Sequence, residues 1–246
     1  MGKIIVIEAN TDGAGKETQS MLLEERFKKE GRKAFRISFP NYDSDSSFFV
    51  KKYLNGDHGK EVLKSNPYVI STFYAIDRYL TYTETIKKYI DEDYIVILDR
   101  YVSSNVIYQT SKIYMQMIKE NRNDEEIKEK IENFIKWEED LEFKYYNLPK
   151  PDMVIYLYIP VEVSQQLIVK RENKINNQSE KDIHEKDIEY LKYSSKLSEA
   201  ISEKENWNRI EVTNQGKMRK REEIAEDIYE SIVCNGAEND KIKNKC

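Results

Sequence analysis

The chain has 246 residues, enough for one large domain or two small ones at about 150 residues per domain. Forty-five acidic residues against forty basic ones leave a formal net charge of −5, which excludes a nucleic-acid binder that works by bulk positive charge. A mean hydropathy of −0.78, with no apolar run near the ~20 residues of a membrane span, excludes a membrane-spanning helix.

The first predicted element is Ile4-Ile5-Val6-Ile7, a continuous β-branched run of the kind that forms a strand buried on both faces. Glu8 cuts that run short, so no leader peptide is expected. A glycine-containing turn leads to a helix over 16–30, closed by Gly31 at the position after its C-cap. A second strand spans 33–38 and ends at Phe39-Pro40, and a short helix over 48–54 stops at Asn55-Gly56. Asn66-Pro67 supplies the cap and first turn of a long helix to about residue 90. Further strands are expected at 94–98, ending in Asp99-Arg100, at 153–159, and at 208–212. Helical patterns separate all of them, which means a parallel sheet covered on both faces in an α/β domain. The charged stretch 119–140 carries Ile127, Ile131, Phe134 and Ile135 at helical spacing and reads as an extended amphipathic helix. Residues 172–181, rich in Asn, Lys and Glu without periodicity, read as a mobile loop, and 235–246 as a frayed tail. Cys234 and Cys246, with a polar stretch between them, make neither a disulfide framework nor a zinc spacing, so a reduced, cytoplasmic setting is expected.

The segment from Asn10 through Asp12-Gly13-Ala14-Gly15-Lys16-Glu17-Thr18 follows a buried strand and opens a helix, the context a phosphate-binding loop needs. Successive backbone N–H groups and the helix N-terminus attract an anion, and Lys16 adds a full charge. Two positions depart from G-x-x-x-x-G-K-[ST]: Asn10 stands at the first glycine and Glu17 at the hydroxyl. Asn tolerates a positive φ better than other side chains, so Asn10 is tolerable at the glycine position. Glu17 either ligates a metal in place of the hydroxyl or repels the phosphate. Asp99 ends a central strand, where open α/β sheets bind ligands and where a carboxylate serves a magnesium ion; Arg100 beside it suits a phosphate. The chain has only ten Arg among its forty basic residues, so each is a candidate anion clamp.

Six pieces occur in order: Asp12-Gly13-Ala14-Gly15-Lys16 with Thr18-Gln19; Phe39-Pro40-Asn41-Tyr42; Tyr74 with Arg78; Asp99-Arg100-Tyr101 through Tyr108-Gln109; Leu148-Pro149-Lys150-Pro151-Asp152; and Asp182-Ile183-His184-Glu185-Lys186-Asp187. Together they resemble the thymidylate kinase family of P-loop nucleoside monophosphate kinases, from about Lys3 to Val233. The resemblance implies a three-layer α/β/α P-loop NTPase fold with a five-stranded parallel sheet and a lid. It implies one domain over 1–234 with the lid at about 171–182, and a flexible tail over 235–246. The implied reaction moves the γ-phosphoryl group of ATP to dTMP with magnesium, giving dTDP and ADP, in a homodimer.

The residue roles implied by the resemblance are these. The loop residues Asp12, Gly13, Ala14, Gly15, Lys16, Glu17 and Thr18 hold ATP, and Asp12 also accepts from the 3′-hydroxyl of the acceptor. Arg36 and Arg100 bind the acceptor phosphate, Phe39 and Tyr42 line its site, Tyr74 stacks on thymine, and Arg78 reaches the base edge. Asn105 and Gln109 are polar positions near the base, and Tyr108 crowds the 2′ position. Asn41 stands where many members place an Arg. Gly13 occupies the loop position that is Arg in some members, which implies that the lid supplies the catalytic cation; Arg171 is the first choice, ahead of Lys170, Lys174 and Lys181. Asp99, with Glu17 and Glu185 as further candidates, serves the metal, so Lys16, Arg100, Asp99 and Arg171 make up the expected catalytic set. Two other readings stay open: a nucleotide-binding protein whose catalysis is weakened by Asn10 and Glu17, and a kinase for another pyrimidine nucleotide or nucleoside.

Overall fold

The β-branched run at the start of the chain forms β1 (Lys3–Ala9), with every side chain from Ile4 onward buried. The computed structural model describes residues 2–56, 64–174 and 188–236. β2 (Ala34–Ser38), β3 (Ile95–Asp99), β4 (Met153–Tyr158) and β5 (Asn208–Glu211) complete a five-stranded sheet in the order β2-β3-β1-β4-β5. All four pairings are parallel, as continuous apolar strands joined by helical crossovers require. β1 therefore has later strands on both sides, so a crevice opens at its carboxyl end, where such sheets bind ligands.

Alternation along β1 divides the core into two layers. Ile5, Ile7 and Ala9 pack with Leu23 and Phe27 of α1 (Lys16–Lys29) and with Ile224 and Ile228 of α9 (Arg221–Gly236). Ile4 and Val6 pack on the other face with Val96, Leu98, Tyr101 and Val102. On that side lie α2 (Phe48–Leu54), α3 (Pro67–Thr81), α4 (Lys87–Asp91), α5 (Val102–Lys119), α6 (Asp124–Glu139) and α8 (Ile188–Lys204). Tyr53, Ile70, Met115 and Tyr190 join α2, α3, α5 and α8 in a smaller cluster. α7 (Val161–Lys174) leaves β4. No described helix is long and apolar enough to cross a membrane.

Several elements differ from expectation. The long helix to residue 90 is two helices, α3 and α4, joined without a break by a π-helical turn over Tyr82–Ile86. The charged stretch does not begin a helix at 119. α5 runs to Lys119, and α6 starts after Asn123, whose side chain accepts from the Glu125 and Glu126 N–H groups while Glu126 returns the bond, forming a capping box. Residues 172–174, expected in a loop, are the last turn of α7; the rest of the expected lid, 175–182, lies outside the described residues, as do 183–187. A hairpin of β6 (Thr213–Asn214) and β7 (Lys217–Met218) was not expected. Gln215 and Gly216 both have positive φ, 48° and 73°, as a type I′ turn requires. α9 reaches Gly236, so residues 235 and 236, expected in a tail, are helical, and 237–246 lie outside the described residues.

Candidate active site

Residues 10–15 connect β1 to α1. Gly13 and Gly15 have φ of 85° and 91°, a region open to glycine at little cost. Gly15 is the N-cap of α1 and supplies no side-chain cap, so the first N–H groups of the helix are left for an anion. Asn10 is not among the residues with positive φ. Its amide instead clips the loop to its surroundings, with Nδ2 donating to the Ile159 carbonyl at 2.7 Å and to Ser195 Oγ at 2.8 Å, and Oδ1 accepting from the Ile159 N–H at 3.0 Å. Ser164 Oγ of α7 donates to the Asp12 carbonyl at 2.6 Å. Glu8, fully buried, accepts from Ser103 Oγ at 2.8 Å and Ser104 Oγ at 2.6 Å in the first turn of α5. Glu8 was missed as a site residue, although a lone carboxylate ending a β-branched run is a visible signal. Glu17 and Thr18 are exposed on the first turn of α1, and Ala14 is buried.

The charges of the site meet at Asp12. Its Oδ1 accepts from Lys16 Nζ at 3.2 Å and pairs with Arg100 NH2 in a closer contact. Burial alone would raise the Asp12 pKa, but Arg100 and Lys16 outweigh it and hold the carboxyl well below the usual range. Arg100 adopts a left-handed backbone, φ 69°, and its N–H donates to the Ile7 carbonyl at 3.1 Å. NH1 of the same guanidinium donates to the Tyr108 hydroxyl at 3.4 Å. Asp99 ends β3 in register with Ile7 of β1 and Ser38 of β2. Burial pushes its carboxyl up, against the pull of Lys16 and Arg100, and it hydrogen-bonds to no described side chain.

A cleft of about 90 Å³ opens beside this cluster, and its wall contains Asp12, Phe39, Tyr42, Tyr74, Arg78, Arg100, Tyr108 and Gln109. Those are eight of the ten residues expected around the acceptor. Tyr74 lines the cleft, while its neighbour Phe73 stacks on Phe49, ring centroids 5.5 Å apart. Gln109 is buried, and its Oε1 has no partner among the described residues. The two others lie outside the wall. Arg36 donates through NH1 to Ser38 Oγ at 3.1 Å and approaches Ser20 Oγ at 3.5 Å. The Asn105 amide is committed to the Ser71 carbonyl and to Glu138. Asn41 donates from its amide to Thr81 Oγ1 at 3.2 Å and from its backbone to Asp77 at 2.9 Å, so it braces α3. Arg78 is not a solvent-facing arginine: it is buried and paired with Glu142. Arg171 lies in the backbone of α7, and Glu185, Lys181 and Asp182 fall outside the described residues.

Among the described residues no cluster of three metal-ligating side chains occurs. A magnesium ion carried on a nucleotide needs only one or two carboxylates beside the phosphates and its own waters. Asp99, whose buried carboxylate hydrogen-bonds to no described side chain, fits that need.

A glycine-bent loop leaving the central strand of this sheet, its lysine, and a carboxylate-arginine pair ending the next strand define a P-loop nucleotide kinase. The family model for thymidylate kinase matches residues 11–224, and the chain belongs to that family. It is similar to the thymidylate kinase of Mycobacterium tuberculosis, 32% identical over 162 residues covering 65% of this chain and 68% of that one. The Plasmodium falciparum thymidylate kinase is 26% identical over 234 residues, 94% of this chain and 90% of that one. Among solved structures, thymidylate kinase from Candida albicans shares the fold with a TM-score of 0.66 over 96% of this chain and 92% of that one, at 19% identity.

Proposed function

We propose that the protein transfers the γ-phosphoryl group of ATP to dTMP, releasing dTDP and ADP. The observation that carries this reading is the Asp12–Lys16–Arg100 cluster, which joins the phosphate loop to a cleft walled by the acceptor-site residues. Phosphoryl transfer rests on positioning and on charge neutralisation, with little covalent work for the protein. Lys16 and the N–H groups from Gly13 to Thr18 hold the donor phosphates. The acceptor phosphate displaces the Asp12 carboxylate from Arg100 and draws on Arg36 as well. Asp12, ionised at working pH, is then placed to accept from the 3′-hydroxyl. Tyr74 stacks on the base, Arg78 donates to its 4-oxo group, and the orphaned Gln109 Oε1 accepts from N3–H. Tyr108, its carbonyl held by the Tyr190 hydroxyl at 2.6 Å, crowds the 2′ position. A magnesium ion on the nucleotide neutralises the transferring group; Asp99 would hold it, with Glu17 at the loop rim. Arg171 supplies the lid cation.

The reading includes one domain over residues 1–234, a lid at about 171–182, a cytoplasmic setting and a homodimer. Exposed Phe48, Phe49 and Val69 on α2 and α3 support an association surface.

The test is ADP release from ATP and magnesium with and without dTMP, run beside Glu17→Ser. dTMP-dependent release by the natural chain is expected, and its absence overturns the kinase reading. Silence from the natural chain with activity in Glu17→Ser would assign the natural chain a binding role instead.

A further inference from the structure

One buried ionic cluster is not used by the loop or by phosphate chemistry. Glu138, near the end of α6, and Glu142, in the π-helical turn Asp140–Tyr145 that continues it, are both fully buried. Glu142 clamps Arg78 of α3 through two bonds, Nε to Oε2 at 2.6 Å and NH2 to Oε1 at 2.5 Å. The same NH2 lies 3.8 Å from Glu138 Oε1, and that oxygen accepts from Asn105 Nδ2 of α5 at 2.7 Å. Two acids, one in α6 and one in the turn that continues it, therefore tie together Arg78 and Asn105, which come from separate helices. With the Nε–NH2 edge of the guanidinium taken, three of its five N–H bonds remain, one on NH2 beside Glu138 and two on NH1. NH1 hydrogen-bonds to no described residue, although Arg78 is only 2% exposed and its side chain forms part of the cleft wall.

A buried ion pair is weak evidence for stability, because well-packed apolar groups often do as well. An oriented fork with its NH1 group left over has a different use. We propose that Glu142, supported by Glu138, is a positioning residue for acceptor-base recognition, holding Arg78 so that NH1 meets a 4-oxo pyrimidine and disfavours a 4-amino one. The proposal rests on the reading that Arg78 meets the base. A donor aimed at C4 matches the oxo group of thymine and opposes the amino group of cytosine, whose own N–H bonds would face it unpaired.

Kinetics of the full chain with dTMP and dCMP, with ATP varied separately, test this in Arg78→Met, Glu142→Gln and Glu142→Asp, alongside thermal melts. Glu142→Gln is expected to raise the KM for dTMP about tenfold or more, the scale of a lost charge-assisted bond. It is also expected to narrow the dTMP:dCMP ratio of kcat/KM while leaving the KM for ATP within about twofold, a split that a general loss of structure would not produce. If Glu142→Gln does not fold, Glu142→Asp, which keeps the charge and shortens the arm, decides by the same readouts. An unchanged dTMP KM and unchanged ratio in the folded Glu142 variant, with both altered in Arg78→Met, overturn the positioning role and leave the Arg78 reading intact. Arg78→Met with an unchanged ratio overturns the Arg78 reading itself.

Discussion

Glu138 and Lys112 are two buried titratable side chains whose effects on stability have opposite signs. Burial, followed by the neighbouring Glu142, pushes the Glu138 carboxyl up to about 8, against Arg78 and the Asn105 amide. Tyr101 and Tyr146, whose hydroxyls burial pushes up, are further titratable groups that feel Glu142. An unfolded glutamate titrates near its ordinary 4.5, so between that value and about 8 the native state holds the extra proton. Stability from this group is full below 4.5 and declines as pH rises toward 8. Glu138→Gln, which mimics the protonated acid, is expected to flatten that decline in melts taken at pH 5.5, 7 and 8.5; an unchanged slope would place the proton elsewhere. Lys112 lies on α5 with Nζ donating to the Tyr53 hydroxyl at 3.1 Å and Ser65 Oγ at 2.9 Å, and burial pushes it down to about 7 from an ordinary 10.5. Here the unfolded chain binds more protons between those values, so stability rises with pH across that window. The Tm difference between Lys112→Met and the natural chain is therefore expected to favour the variant most at pH 7 and to shrink toward pH 10. A difference that stays constant with pH would mean that the amine is charged in the native state.

Between elements, the phosphate loop is held less by its glycines than by clips to four neighbours. Asn10 reaches the end of β4 and α8, Ser164 of α7 reaches Asp12, and Glu8 reaches α5. This removes half of the case for decayed catalysis, since the side chain at the first glycine position has structural work that glycine has no atoms to do. Asn10→Ala leaves the Ile159 N–H and carbonyl and Ser195 Oγ without their partner, at a cost of about 1–3 kcal/mol per orphaned group. A Tm lowered by at least about 2–4 °C is expected for a chain of this size, together with a raised KM for ATP; a neutral effect on both would show that the clip is dispensable. The strands and the loop were legible because burial on both faces leaves an unbroken β-branched signature and because a phosphate loop has fixed spacing. The partner of Arg78 was not, because Glu142 lies just past the charged stretch 119–140 and nothing in its immediate neighbours marks it as buried. The signal was present in part: Phe134, Glu138 and Glu142 fall four apart, so the two acids continue the apolar face of α6. Which distant arginine they meet depends on how α3 and α6 pack, and no periodicity encodes that. The short β6–β7 hairpin escaped because two-residue strands carry almost no pattern.

At the scale of the whole molecule, α7 and α8 both return to the loop that follows β1. Both helices are tied to it, α7 through Ser164 and α8 through Ser195. Arg171 sits two helical turns beyond Ser164, about 10 Å along the axis at 1.5 Å per residue. It is the only arginine between Arg122 and Arg209. Lys16 and Arg100 already face Asp12 in the structure, and a further cation is required only as negative charge spreads over the transferring oxygens. A residue that acts there and not in the ground state changes kcat and leaves KM nearly alone. Arg171→Ala is therefore expected to lower kcat by about 10²–10³-fold, the scale for one lost transition-state contact, with the KM for ATP and for dTMP changed by about threefold or less. Arg171→Lys, which keeps the charge but not the planar fork, should recover part of that loss. Single-turnover measurements separate the chemical step from product release. An unchanged chemical step in Arg171→Ala would move the role to Lys174 or Lys181.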